Sequence, residues 1–419
     1  MFVKWQELGQ AFQARWFSSH GAKPPKTIQV VYDDLSADQA HRLASEGVGL
    51  LWRGDYHNAR QLLMALNRRV QRKTIKPTLP QQTQGTHQLK SSSPQQLFHQ
   101  YRHQQAQALN VMHKLVLVVQ PDRQIELPRA PCVDSALQAL TVVQPDLTGL
   151  MMLSLKDLQG IIGSYEWSKK GVEIAALGEP PNNRIYPAYG VFSPIRGEYV
   201  ELVAQAPLPQ SIADSDFLAV DVGTGTGVLA AVLARRGVPR VIATDSCEAA
   251  IQCAQHNLAL LGLASQVECR HQAFFPQEQA DLIVCNPPWL PVKARSSLDA
   301  AVYDPDHRML KGFLSGLNAH LKPGGRAWLI LSDLAELLEL RPRNGLQWEI
   351  EKNGLICFNK LQCKPQHHKA TDRSNPLYGV RKHETTTLWV LEKNLKLGVT
   401  VKGQEGGLHL RVGLDLYRD

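Results

Sequence analysis

The sequence predicts an α/β protein. A parallel sheet with helices on both faces occupies roughly the second half of the chain, and a smaller mixed α/β region precedes it. Three observations lead there. From about residue 186 short apolar runs alternate with amphipathic helical stretches, the spacing of βαβ units. A glycine-rich turn, Asp221-Val-Gly-Thr-Gly-Thr-Gly227, falls between one such run and the next helix. The first half shows the same two periodicities in shorter, more polar pieces, interrupted by a stretch too polar to pack.

In residues 1–76, Met1–Trp16 is broken by Lys4, Glu7 and Arg15 and reads as an amphipathic helix rather than a signal peptide. Thr27–Tyr32 and Val48–Trp52 read as strands. Ser36–Glu46 and Asn58–Arg72 read as helices, the second ending in the cluster Arg68, Arg69, Arg72 and Lys73. Residues 77–97, rich in Pro, Gln and Ser, read as a linker or exposed loop. Residues 98–185 resume mixed α/β structure that can be continuous with 1–76. There Leu115–Val119 and Gln124–Leu127 are expected to form a hairpin, and helices are expected near Cys132–Leu140 and Leu153–Ile162.

Within residues 186–395 the expected strands are Leu218–Val222, Val241–Thr244, Val267–Arg270, Asp281–Cys285, Arg326–Leu331 and Thr385–Leu391, with helices at Val228–Arg236 and Cys247–Leu261. Residues 396–419 form a C-terminal extension.

Composition bounds the partners. The 419 residues are 43% hydrophobic and 20% charged, a globular balance. No apolar run approaches the ~18 residues a membrane helix needs, so no membrane partner is expected. Seven cysteines, none in a C-x-x-C pair, suit a reducing cytoplasm better than a disulfide framework. His99 and His103 could share a helix face, but without Cys or carboxylate neighbours they read as solvated histidines and not as metal ligands. The net charge of +8 is lopsided: residues 1–120 hold fifteen Lys/Arg against six Asp/Glu, leaving a net −1 for the rest. A basic region of this kind suits a polyanion, although it also serves as a solubilising surface.

Gly223, Gly225 and Gly227 allow a tight turn and close approach to a ligand. The spacing G-x-G-x-G differs from the G-x-G-x-x-G of dinucleotide sites, and Asp221 stands just before it. S-adenosylmethionine (SAM) suits this turn, because it carries an ammonium that wants a carboxylate where a dinucleotide carries pyrophosphate. Asp245 ends the next strand, where an acid can accept from both ribose hydroxyls. Its other reading is an N-cap for the helix at 247–261.

Together these residues resemble the class I SAM-dependent methyltransferases over about residues 186–395. The resemblance implies a Rossmann-like seven-stranded sheet with SAM across the carboxyl ends of its strands. Many relatives carry Asp after the third strand for the adenine; here His271-Gln272-Ala273-Phe274-Phe275 places Ala273 there, leaving Gln272, Phe274 or backbone to hold it. Phe192, in Gly190-Val191-Phe192-Ser193-Pro194, resembles the segment those enzymes set beside SAM.

Asn286-Pro287-Pro288-Trp289 directly follows the fourth strand of this region. A planar amino or amide nitrogen is a poor nucleophile because its lone pair is delocalised. Two acceptors, the Asn286 side-chain oxygen and the Pro287 carbonyl, can grip its hydrogens while the nitrogen becomes tetrahedral. Proline stiffens the turn, and Trp289 can stack on a flat target. The same residues could be an ordinary Pro-rich turn with a core Trp. The motif resembles the (N/D)PP(Y/F/W) signature of adenine- and guanine-amino methyltransferases acting on nucleic acids and of release-factor glutamine methyltransferases. Tyr303, Asp304, His307 and Arg308 lie where relatives carry a substrate loop; a general base is not required for a neutral amine.

The leading expectation is therefore an N-methyltransferase acting on an amino group of RNA, with ribosomal RNA the favoured target. Protein glutamine methylation is the alternative, and a catalytically silent SAM- or RNA-binding module a third reading.

Overall fold

The computed structural model describes residues 1–19, 21–72, 93–143, 147–294, 299, 301–365 and 372–394. Lys73, residues 77–92 of the expected linker and residues 396–419 lie outside them. Two sheets organise the chain, one of six strands and one of seven, with a two-stranded ribbon between them.

The first sheet opens with a hairpin, β1 (Phe2–Glu7) and β2 (Gln10–Phe17), where a helix is expected. Val3 and Trp5 are buried with exposed Lys4 between them, and Ala14 and Trp16 are buried with half-buried Arg15 between them. That is a period of two and not of 3.6, and the turn Leu8-Gly9 has φ of 51° and 75°. The chain continues through β3 (Ile28–Val31), α1 (Ala37–Ser45), β4 (Gly49–Trp52) and α2 (Tyr56–Arg72). Helix α3 (Pro94–Met112) is entered at Ser93 through a capping box with Gln96, so a helix starts within the stretch expected to be linker.

After α3 come β5 (Leu115–Val119), α4 (Asp134–Val143), β6 (Met151–Ser154) and α5 (Leu155–Lys170). Strand order is β1-β2-β6-β5-β4-β3. The hairpin expected between Leu115–Val119 and Gln124–Leu127 does not form, because β5 already pairs with β4 on one edge and β6 on the other. The sheet curls until β1 reaches β3. Val3, Trp5, Trp16, Leu51, Val116 and Met152 then fill its inside, and the helices cover its other face.

The ribbon β7 (Val172–Glu173) and β8 (Arg184–Ile185) leads to α6 (Gly197–Gln205) and the second sheet. It is built from β9 (Leu218–Val222), α7 (Val228–Arg235), β10 (Arg240–Asp245), α8 (Glu248–Leu260), β11 (Val267–His271), β12 (Ala280–Cys285), β13 (Leu321–Ser332), β14 (Leu355–Cys363) and β15 (Thr386–Lys393). The order β11-β10-β9-β12-β13-β15-β14 is parallel except for β15, which runs antiparallel to both neighbours. Helices α6, α7 and α8 pack on one face, and the helices Arg308–His320 and Gly345–Lys352 on the other. The seven-stranded Rossmann-like sheet expected for this half is present. Among the described residues no helix is long and apolar enough to cross a membrane, and no disulfide forms among the seven cysteines.

Candidate active site

The strand order decides which side chains can meet. The carboxyl ends of β11, β10, β9 and β12 stand side by side, so Gln272, Asp245, the 221–227 turn and Asn286 line one rim. In open α/β sheets this crevice is where ligands bind.

The glycine turn is held from below. Gly223 N and Thr224 N donate to the Thr244 carbonyl at 2.8 and 2.9 Å. Asp221 is 1% exposed; its Oδ2 accepts from Thr224 Oγ1 at 2.6 Å and from Ala230 N at 3.1 Å, tying the turn to the start of α7. Burial pushes its carboxyl up to about 6, against those two hydrogen bonds. Gly225 has φ +57°, and a Cβ there would meet nothing within 4 Å, so the turn offers an open cradle above it. Gly227, at φ +81°, lets α8 approach: a Cβ would sit 3.1 Å from that of Ala254.

Asp245 holds two backbone amides at the strand end. Its Oδ1 accepts from Cys247 N at 2.9 Å, the cap-like role, while its Oδ2 accepts from Gly225 N at 3.0 Å and locks the turn to the strand end. Each oxygen keeps a further lone pair for a ribose hydroxyl. Gln272 follows β11; its Nε2 donates to the Phe275 carbonyl at 2.6 Å, and its backbone N donates to the Asp245 carbonyl at 3.0 Å. Ala273 is exposed, and Phe274 has φ 61° with its carbonyl bound by Thr244 Oγ1 at 2.5 Å. Phe192 stands on the loop before α6 and is 37% exposed, beside Val191, which packs on Ala250 and Cys253 of α8. A carboxylate at the strand end, an open glycine cradle and an exposed aromatic wall fit SAM.

Asn286 leaves β12 half-buried, with Pro287 buried behind it. The Trp289 indole Nε1 donates to Asn286 Oδ1 at 2.9 Å, which fixes the amide rotamer and adds a role to the stacking expected of Trp289. Over the Trp289 ring, at 5.4 Å from its centroid, lies the Arg196 guanidinium.

The loop after the motif is braced. Leu290 forms a β-bridge with Tyr303, and Asp304 accepts from Met309 N and Leu310 N at 3.0 and 3.1 Å, capping the helix Arg308–His320. His307 is held down to about 4 by burial, with Arg341 and Lys311 adding repulsion, so it is neutral at pH 7. Helix α3 reaches this loop from the first sheet. Arg102 stacks on the Tyr303 ring at 4.4 Å and donates to the Lys293 carbonyl at 2.8 Å, while Phe98 packs with Leu290 and Leu334.

Sequence reading missed Arg102 and Arg196, because nothing in their local sequence signals a contact made across the fold. The basic cluster at the end of α2 is partly neutralised: Arg69 Nε pairs with Asp38 Oδ1 at 2.8 Å, whereas Arg68 is exposed.

Comparison with known proteins places this geometry. Residues 188–340 match the family model Methyltransferase small domain. The release factor glutamine methyltransferase of Cereibacter sphaeroides is 35% identical over 133 residues, 28% of this chain and 48% of that protein. The tRNA1(Val) (adenine(37)-N6)-methyltransferase of Cytophaga hutchinsonii is 30% identical over 134 residues, 30% of this chain and 56% of that protein. The chain thus spans about half the length of these curated relatives. Among solved structures, a ribosomal protein L11 methylase from Lactobacillus delbrueckii subsp. bulgaricus aligns over 50% of this chain and 84% of that one, at 18% identity and a TM-score of 0.34. The match to the methyltransferase small domain over residues 188–340 thus falls on the seven-stranded sheet whose order sets the glycine turn and the strand-end acid side by side.

Proposed function

We propose that this protein methylates a planar amino nitrogen on RNA, ribosomal RNA being the favoured target. The observation that carries the reading is Asn286-Pro287-Pro288-Trp289 on the strand next to the glycine turn, with the Asn286 amide pinned by the Trp289 indole. SAM, when bound, supplies an electrophilic methyl group. The target nitrogen's lone pair forms the new N–C bond, the S–C bond breaks with its electron pair to sulfur, and the surplus N–H proton leaves to water. Asn286 Oδ1 and the Pro287 carbonyl accept from the nitrogen's hydrogens, most strongly as positive charge develops there. Asp221 and Asp245 serve the ammonium and the ribose. The Trp289 face, under Arg196, offers a stacking surface.

RNA is favoured over protein by the charge split, since the excess of Lys/Arg in residues 1–120 suits phosphates. Glutamine methylation is the second reading: the release factor enzymes are glutamine methyltransferases by name, and an amide NH₂ satisfies the same two acceptors. Partition of label from tritiated SAM between deproteinised RNA, ribosomal subunits and total protein of cells lacking the gene decides between them. Label in RNA or subunit RNA is expected; label confined to protein moves the assignment to glutamine, and no label in any fraction overturns the enzyme reading.

A further inference from the structure

Residues 186–192 lead from the ribbon to Phe192, the exposed ring assigned above to the SAM pocket, and they are held from two directions. The first is the seven-stranded sheet. Tyr186 N donates to Asn257 Oδ1 at 2.8 Å and Ala188 N to Cys253 Sγ at 3.3 Å, both on α8. Val191 packs on Ala250 and Cys253 of the same helix. Asn257 is fully buried, and its Nδ2 donates to the Thr226 carbonyl at 3.0 Å. One side chain thus joins this segment to the glycine turn.

The second is the first sheet. Tyr189, between those attachments, packs into its helix-covered core. The Tyr189 hydroxyl is hydrogen-bonded to Ser19, in the chain just after β2, and lies in the field of Asp157. Asp157, in the first turn of α5, is 3% exposed. Its Oδ1 accepts from Ser19 Oγ and, at 3.2 Å, from Ser19 N. Its Oδ2 accepts from Ser154 Oγ at 2.7 Å and lies 3.0 Å from Nδ1 of His113, the C-cap of α3. Burial, with the Asp157 charge adding to it, pushes the Tyr189 phenol up to about 12, so it keeps its proton. A carboxylate buried this deeply is costly unless it is well hydrogen-bonded, and its partners here come from three segments: the chain after β2, the end of α3 and the β6–α5 junction. What this network adds to packing is a fixed position for Tyr189, three residues before Phe192.

We propose that Asp157, Ser19 and Tyr189 are positioning residues for the cofactor: the first sheet holds residues 186–192 against α8, and the SAM pocket is complete only with that support. They act through Phe192 and, by way of Asn257, through the glycine turn at Thr226. The N-terminal half then serves the cofactor as well as the target. The inference rests on Phe192 being a wall of the SAM pocket and goes beyond it in naming what sets that wall.

The test uses the full-length protein and calorimetric titration with SAM. Tyr189→Phe keeps the ring and its packing and loses the hydrogen bond to Ser19; Asp157→Asn keeps the shape and removes the charge. The SAM Kd should rise about 3- to 10-fold in the first and about 5- to 30-fold in the second. Val3→Ala, a core truncation on the other face of the first sheet, is the control: it should lower Tm at least as much and leave the SAM Kd within twofold of wild type. On the RNA fraction that takes label, KM for SAM should rise in Tyr189→Phe and Asp157→Asn while kcat at saturating SAM and KM for RNA hold, a split that general loosening does not produce. A SAM Kd within twofold of wild type in both folded variants, or an equal loss in Val3→Ala, overturns the proposal. Phe192→Ala titrated alongside separates it from the assignment beneath it. Weaker SAM binding there, with wild-type binding in Tyr189→Phe and Asp157→Asn, removes the positioning role and keeps the wall; wild-type binding in all three removes both.

Discussion

Asp245 separates cofactor binding from folding in one residue. Its carboxylate makes two backbone hydrogen bonds, to Gly225 N at 3.0 Å and Cys247 N at 2.9 Å, and is proposed to accept from both ribose hydroxyls of SAM. Asp245→Ala removes all four. The two ribose bonds to a charged acceptor are worth about 2–3 kcal/mol together, so the SAM Kd should rise about 30- to 150-fold. The two backbone amides lose a partner each, at about 1 kcal/mol apiece, which lowers Tm by a few degrees without unfolding the sheet. Asp245→Asn retains one acceptor oxygen, so it should melt closer to wild type and still bind SAM about tenfold more weakly. Calorimetric titration with SAM and thermal melts of both variants give the two numbers. A folded Asp245→Ala protein whose SAM Kd lies within twofold of wild type would refute the ribose role and leave Asp245 as a turn lock.

Trp289→Phe keeps an aromatic face but frees the Asn286 amide from its 2.9 Å tether; single-turnover rates should fall about 5- to 30-fold with little change in KM, whereas Trp289→Ala should raise KM as well. Arg102→Ala removes the stack on Tyr303 and the bond to the Lys293 carbonyl. Steady-state kinetics should show kcat/KM down about 5- to 30-fold and SAM affinity unchanged, because the lost contacts brace only the loop after the motif. Asp221 ionises at about 6 in the free protein, and the SAM ammonium favours its charged form. Affinity for SAM should therefore be full above pH 6 and decline as pH falls from 6 to 5, with calorimetry on Asp221→Asn showing weaker binding and a flatter profile.

The second sheet was legible because its strands are buried on both faces. Leu218–Val222, Ala280–Cys285 and the outer part of β13 are nearly continuous apolar runs. Edge strand β14 was not, since Leu355–Cys363 carries Asn, Lys and Gln on an exposed side. In the first sheet, the charges in Met1–Trp16 mimic an amphipathic helix, although the alternation of Val3 and Trp5 and the Gly9 turn belong to a hairpin. The capping box at Ser93 and Gln96 likewise announced α3 inside a stretch whose composition suggested a linker. The strand-end positions of Asp221, Asp245, Gln272 and Asn286 could be placed from spacing, because strand order brings those ends together. Arg102 and Arg196 could not: each comes from a segment distant in sequence, and only the assembled fold sets them against Tyr303 and Trp289.

Asn286 is proposed to accept from a nitrogen that becomes tetrahedral and positive only during transfer. Asn286→Ala tests it most directly, through a single-turnover rate on the RNA fraction that takes label, measured alongside SAM affinity by calorimetry. Wild-type SAM binding is expected, with a methylation rate lower by about 10²–10³. Turnover near wild type in that variant would contradict it and leave a SAM enzyme whose target is not a planar amine.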